Sequence, residues 1–403
     1  MPSGQRLLSI SGDLLKVTFA APLRWVLLVA AAAAMALLLL LVIAPPRADA
    51  AAGDDTWTVN PAAPDSGAWR SVAWSPETGV FVAVGPGGVM TSTDGIAWTA
   101  QTAPAAIWNG VAWSPELGLF AAIGTTGALV ITSPDGVNWT AQTIVGATKP
   151  WGTITWSPDE HEFLVAAVGG GSMTSNNATT WTVAADPAKP ALTHGLAWSP
   201  ALALYVAVGN NGAYTSPDGT IWTLGASLPA VGWRGVAWSP TGNRFVAVGI
   251  GGGNDIMTSP DGVTWTPTPT AVTATLSAVT WSPTEGEFVA VGQGAVMSST
   301  DGITWTSVTD PAPANTWDSI VWAPALSSYV AVSSDGTLRT MIGTVPPAQN
   351  APPATGGATA SNPELAVTGL AIAPTLLTGF GLLLFGLVAT GMSMMISRRR
   401  ANR

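Results

Sequence analysis

The residues with the most obvious chemical potential are aspartates that recur in one setting. Ser-x-Asp-Gly-x-x-Trp occurs at Ser92/Asp94/Trp98, Ser133/Asp135/Trp139, Ser216/Asp218/Trp222, Ser259/Asp261/Trp265 and Ser299/Asp301/Trp305, with a degenerate copy at Ser175/Asn177/Trp181. A carboxyl group can serve as acid, base or nucleophile in glycoside hydrolysis, but that chemistry needs two carboxyl groups in unlike environments. Equivalent turns supply equivalent environments. The competing role is structural: an aspartate in a tight turn accepts backbone N–H groups while the next glycine takes positive φ without strain. We assign Asp94, Asp135, Asn177, Asp218, Asp261 and Asp301 to that structural role.

Other candidates for catalysis are sparse. Glu77, Glu116, Glu160, Glu162, Glu285 and Glu287 fall in loops that track the aspartate turns. Two of them, brought together from separate repeats, could form a glycosidase pair; the alternative is solvated turn charge. His161 and His194 are the only histidines and occupy different positions in their repeats. Asn254-Asp255 offers one carboxylate, far short of a calcium cage. With no cysteine there is no disulfide, thiolate site or Cys nucleophile. No metal site, cofactor or catalytic residue is assigned.

The elements that hold these residues repeat with a period near 41, marked by Trp74, Trp113, Trp156, Trp198, Trp238, Trp281 and Trp322. A second series is Trp57, Trp98, Trp139, Trp181, Trp222, Trp265 and Trp305. Within one unit, Ser71–Trp74, Phe81–Val84, Val89–Ser92 and Ile96–Thr99 read as four short strands separated by Gly, Pro and Asp-Gly turns. A period of about 40 built of strands predicts propeller blades. The strands are apolar on both parities, as sheets covered on two faces require. The last unit, Trp317 to Met341, lacks its fourth strand, and a solitary one surrounds Trp57 at the start of the array. The expected fold is all-β: a seven-bladed β-propeller closed by its N-terminal strand, which removes free sheet edges.

That topology sends one set of loops to the end opposite the aspartate turns. There, five residues before the recurring tryptophan, stand Trp69, Trp108, Trp151, Trp233 and Trp317, with Thr193 and Leu276 in the other two units. The following position varies: Arg70, Asn109, Gly152, His194, Arg234, Ser277 and Asp318. Indole rings beside varied polar groups could stack sugars or grip a peptide. Alternatively, the tryptophans wedge between blades.

The aspartate turn resembles the Asp-box repeat of bacterial neuraminidase-type propellers, usually Ser-x-Asp-x-Gly-x-x-Trp, with one residue fewer between Asp and Gly. The resemblance covers Thr56–Met341. A sialidase-like enzyme would need clustered arginines and a Tyr/Glu nucleophile pair. Tyr205 and Tyr329 occupy the repeated aromatic core position and Tyr214 lies in a third strand, leaving no tyrosine for that role.

The 403-residue chain is only 9% charged. All acidic residues except Asp13, Asp49 and Glu364 lie between residues 53 and 343, which hold just Arg70, Lys149, Lys189, Arg234, Arg244 and Arg339 as bases. Such a surface repels nucleic acids and anionic headgroups. The uncharged run 25–44 within residues 1–52, followed by Pro45-Pro46 and Ala48/Ala50, reads as a secretory signal or retained signal anchor. Residues 53–343 form the propeller, and 344–364 a Pro/Ala/Gly/Thr tether reaching about 60 Å. Within 365–403, Leu365-Ala366-Val367-Thr368-Gly369 precedes an apolar stretch, 370–396, expected to be a transmembrane helix, and Arg398-Arg399-Arg400, which holds the tail in the cytoplasm. This order resembles the sorting signals that sortases of Gram-positive bacteria cleave between Thr and Gly, with Ala366 replacing the usual proline. The resemblance implies transient contact with a sortase and transfer of Thr368 to a cell-wall precursor. The expectation is a monomeric, non-enzymatic binding or adhesion module on the outer face of the cell envelope, held by wall or membrane. Its ligand would be a glycan or a protein. An exo-acting glycoside hydrolase and a purely structural envelope protein are the alternatives.

Overall fold

The computed structural model describes residues 56–60, 68–125, 129–144, 149–184, 193–210, 212–225, 228–229, 232–251, 255–268, 274–335 and 340–345. The chain divides into two compact units, Met1–Gln349 and Asn350–Arg403, and all described residues belong to the first. The signal or anchor segment, the tether beyond Val345, and Leu365-Ala366-Val367-Thr368-Gly369 with its apolar stretch lie outside them. Among the described residues no helix is long and apolar enough to cross a membrane.

Seven antiparallel sheets of four strands make up the fold. Blade 1 comprises Ser71–Ser75, Val80–Gly85, Gly88–Ser92 and Thr99–Gln101. The first strands of the other blades are Trp108–Ser114, Trp151–Ser157, Thr193–Ser199, Gly232–Ser239, Thr275–Ser282 and Trp317–Ala323. Each first strand touches the next in order, and the last touches the first, so they surround a central axis. Blade 7 takes its second and third strands from Ser328–Ser333 and Thr340–Thr344, and its fourth from Thr56–Asn60 at the opposite end of the sequence. Trp57 pairs with Gly343 and Thr56 with Thr344. The ring is closed by its N-terminal strand.

Packing explains the repeat pattern. The second strands, such as Phe81-Val82-Ala83-Val84, are inaccessible on both faces because neighbouring blades cover them. Phe81 lies between Trp74, at 4.3 Å, and Trp98, at 6.2 Å. Trp57 takes the corresponding place in blade 7, stacked 6.0 Å from Tyr329. Each blade thus carries one aromatic residue between two tryptophans or beside one, offset as aromatic pairs prefer.

The six aspartate-type turns share one hydrogen-bond frame. Asp94 Oδ1 accepts from the backbone N–H of Ile96 and Ala97, both at 2.8 Å, and from Ser92 Oγ at 2.9 Å. Gly95 N–H donates to Ser92 Oγ, and Trp98 Nε1 donates to Gly95 O at 3.0 Å. Asn177 reproduces the frame, accepting from Thr179 and Thr180 N–H at 2.9 and 2.8 Å. An amide oxygen suffices, so the negative charge is dispensable to the turn. This frame also corrects one expected boundary. The fourth strand of blade 1 begins at Thr99, not Ile96, because the N–H groups of Ile96 and Ala97 are committed to Asp94.

The glycine of each turn meets the preceding blade. A Cβ on Gly95, at φ +75°, would stand 2.7 Å from Val330 Cγ2, and one on Gly262 would stand 2.7 Å from Val206 Cγ2. Blade 3 departs from this pattern with Ala178, at φ 59° and fully buried. The facing position in blade 2 is Ala121, where blades 1, 3, 4, 5 and 7 have Val82, Leu164, Val206, Val246 and Val330. Two methyl groups removed from one blade make room for one added to the next.

Candidate functional site at the axial mouth

The two ends of the propeller differ in charge. The aspartate turns share one end with the loops between first and second strands, and so with Glu77, Glu116, Glu160, Glu162, Glu285 and Glu287. Several of these acids tie neighbouring blades together. Trp113 Nε1 donates to Glu77 at 2.7 Å and Trp198 Nε1 to Asp159 at 2.8 Å. Glu116 pairs with His161 at 2.5 Å, which raises the imidazole's proton affinity.

This end also holds two hydrogen-bonded Tyr–Glu pairs, Tyr205–Glu162 at 3.2 Å and Tyr329–Glu287 at 3.0 Å. Both tyrosines are fully buried. Burial pushes the Tyr205 hydroxyl far above its ordinary range, and burial likewise raises Glu162. A phenol sealed in this way reaches no substrate, so these pairs fasten one blade to the next. The turn aspartates are held low: burial pulls Asp94, Asp218, Asp261 and Asp301 upward, but the N–H donors outweigh it. Asp135 falls to about 2 by the same balance. These are spectator carboxylates under physiological conditions, without the raised or split acidity that general acid catalysis uses.

The opposite end is the mouth of the axis, less acidic than the first: among the described residues it holds Arg70, Lys149 and Arg234 together with Asp255, Asp310, Asp318 and Asp335. Trp69, Trp108, Trp151, Trp233 and Trp317 are all fully buried there. Trp69 packs with Val332 of blade 7, Trp108 with Val82 and Val84 of blade 1, and Trp317 with Val291 of blade 6. They wedge between blades and offer no exposed ring for stacking. The ligand-stacking role expected of them is therefore corrected to one of packing.

Their polar neighbours behave differently. In six first strands the register slips by one residue at that very position: Asn109, Gly152, His194, Arg234, Ser277 and Asp318 are each skipped in pairing with the second strand. Arg70 stands just before its strand, with its N–H on Val84 O. A bulge leaves one residue out of the ladder and re-aims its side chain. The scaffold thus sets seven variable positions at one level around the axis, half-buried except for the exposed Arg70. The odd spacing from Trp108 to Trp113 is the only sequence trace of the bulge, and where both faces are apolar either parity reads as a regular strand.

Two arcs form in this ring. Arg70 Nη1 donates to Asn109 Oδ1 at 2.6 Å, and Asn109 Nδ2 donates to Trp151 O at 2.8 Å. On the other side of blade 1, Asp318 accepts from Ser334 N–H at 2.6 Å. Burial raises Asp318, opposed by the Ser334 bonds and by the charge of Arg70. Across the mouth, Arg234 Nη1 lies 3.5 Å from His194 Nδ1. Burial, then the charge of Arg234, hold that imidazole down at about 4. Gly152 and Ser277 leave small gaps between the arcs. Among the described residues no cluster of side chains could hold a metal ion.

The class defined by this architecture is the seven-bladed β-propeller. No protein family and no curated protein matches the chain. Solved structures share its fold: virginiamycin B lyase from Staphylococcus aureus, 12% identical over 72% of this chain and 100% of that one, has a TM-score of 0.62. YCF48 from Cyanidioschyzon merolae is 16% identical over 72% of this chain and 98% of its own, with a TM-score of 0.56. YCF48 bound to a D1 peptide is 15% identical over 72% and 96%, also at 0.56. At these identities the likeness is one of fold.

Proposed function

We propose that this chain is an exported binding module, tethered to the outer face of the cell envelope, which takes its ligand at the axial mouth. One observation carries this reading: six bulges and one strand start set seven variable side chains at the same level of the axis, on a scaffold otherwise written by repetition. A ring that conserves backbone geometry while changing side chains is suited to recognition. Similar scaffolds support it, since YCF48 has been seen with a peptide bound and a virginiamycin B lyase variant with quinupristin. Thr56 and Thr344 leave the propeller side by side at the aspartate-turn end, 2.7 Å apart through their hydroxyls, so the described ends of the chain leave the mouth clear. The terminal segments supply the tether: export through the segment 1–52, and cleavage at Thr368–Gly369 with transfer to the wall or retention by the apolar stretch.

The test is binding of the full-length protein, in detergent, to arrays of glycans, wall fragments and peptides. Arg70→Ala and Asn109→Ala should lower the retained signal at least tenfold, while Glu77→Ala at the far end leaves it unchanged. Equal binding by all three proteins would remove the mouth from consideration. Glycoside hydrolysis that is lost in carboxylate variants of the aspartate-turn end would favour the enzyme reading instead.

A further inference from the structure

Arg234 is a half-buried guanidinium in an acidic protein, and among the described residues no carboxylate pairs with it. Its neighbour is a ring nitrogen of His194, Nδ1, 3.5 Å away. Among the described residues neither side chain makes an ion pair, and the one acid of the seven ring positions, Asp318, belongs to the other arc beside Arg70 and Ser334. Partly desolvated charges in proteins are ordinarily paired, because an unpaired one loses hydration without compensation. Here the neighbour is instead a second group that becomes cationic on protonation. Both residues are displaced from their ladders by bulges at the mouth end of their strands. The mouth also carries Asp255, Asp310, Asp318 and Asp335, and among the described residues none of them pairs with Arg234, so the guanidinium there can attract a negative group.

We infer that Arg234 and His194 form an oxyanion site, which receives a carboxylate of the ligand. This rests on the mouth being the binding face, and adds the chemical class: an acidic ligand, not a neutral one. The guanidinium offers a planar fork of donors suited to a carboxylate. His194, whose Nδ1 faces the Arg234 guanidinium, contributes Nε2–H as donor, and a bound anion stabilises its protonated form. Anion binding and protonation of His194 are therefore linked, each favouring the other.

The chain contains only two histidines, so both can be followed without ambiguity. The full-length protein, labelled with 13C at histidine Cε1 and held in detergent, is titrated with acid by NMR in chloride, in sulfate and in glucuronate at matched ionic strength. Glucose serves as the uncharged control, and N-acetylalanine as a carboxylate that is not a sugar. His194 should titrate near 4 in chloride and rise by about 1 pH unit or more with sulfate and either carboxylate. His161, at the far end beside Glu116, should not respond. Arg234→Gln should raise His194 without any anion, by removing a neighbouring charge, and abolish the response to anions. Arg234→Lys should keep the resting value but weaken the response. A response to glucuronate alone would make the ligand a sugar acid; a response to N-acetylalanine alone would make it a peptide carboxylate. Identical titrations in all media, or His161 moving as far as His194, would overturn the site. Array binding to a neutral ligand would persist in that event, separating failure of this inference from failure of the binding role.

Discussion

At the scale of single residues, the acidic turns show how a repeated carboxylate can be structural. Asp94 gathers two backbone N–H groups and a hydroxyl on one oxygen, and Asn177 does the same with an amide. The N–H donors outweigh burial and depress the folded acidity of these groups, to about 2 for Asp135. Their stabilising contribution is accordingly complete above the unfolded value of about 3.9 and is lost as pH falls through the folded one. Stability of the propeller should decline between about pH 4 and pH 2. Asp94→Asn, which keeps an acceptor oxygen for the contacts that Oδ1 receives, should be as stable as its parent near pH 2 and relatively weaker at pH 7. Urea denaturation at the two pH values measures this. A constant difference between them would show that the Asp94 charge takes no part.

At the scale of elements, the junctions between blades carry information that the strands do not. Five turn glycines press against a branched residue of the preceding blade, and the exception, Ala178, faces Ala121. Ala121→Val should therefore crowd the Ala178 methyl and cost about 1–3 kcal/mol. Ala178→Gly should be near neutral or stabilising, since it relieves an alanine at φ 59°. The double variant should recover most of the loss, leaving a coupling energy that thermal or chemical denaturation reads directly. Strictly additive effects would show that the two positions do not meet. The blades themselves were legible because Trp74, Phe81 and Trp98 recur at fixed spacing and the strands alternate around them. The Ala121–Ala178 exchange was present in the sequence too, but only the register between blades reveals which residue faces which. The bulges at Asn109, His194 and Arg234 were hidden for a different reason. Both faces of these strands are apolar, so a slip of one residue leaves the pattern looking regular. For the same reason Trp69 and Trp108 could be read as a ligand platform, although the neighbouring blade covers them completely.

At the scale of the whole molecule, everything at the mouth depends on a ring held shut by one non-local strand. Six blades have a fourth strand joined to the third through a hydrogen-bonded turn. Blade 7 draws Thr56–Asn60 from the far end of the sequence, paired with Thr340–Thr344. Trp57 anchors it against Tyr329, Met341 and Val345. Closing so long a loop costs chain entropy before the contacts repay it, so this blade is the place where the ring should open first. Trp57→Ala should lose about 3–5 kcal/mol, as large aromatic truncations do. Trp222→Ala removes the equivalent anchor in blade 4, whose fourth strand is held locally. The two variants should differ in kind as well as size. Trp57→Ala should speed amide hydrogen exchange in both 56–60 and 340–344, and the freed edge should pair between molecules, shifting the protein to larger species on gel filtration. Trp222→Ala should stay monomeric, with exchange raised only within blade 4. If both variants exchange and associate alike, closure would be no weaker than any other blade. The mouth would then owe its geometry to each blade separately and not to the ring.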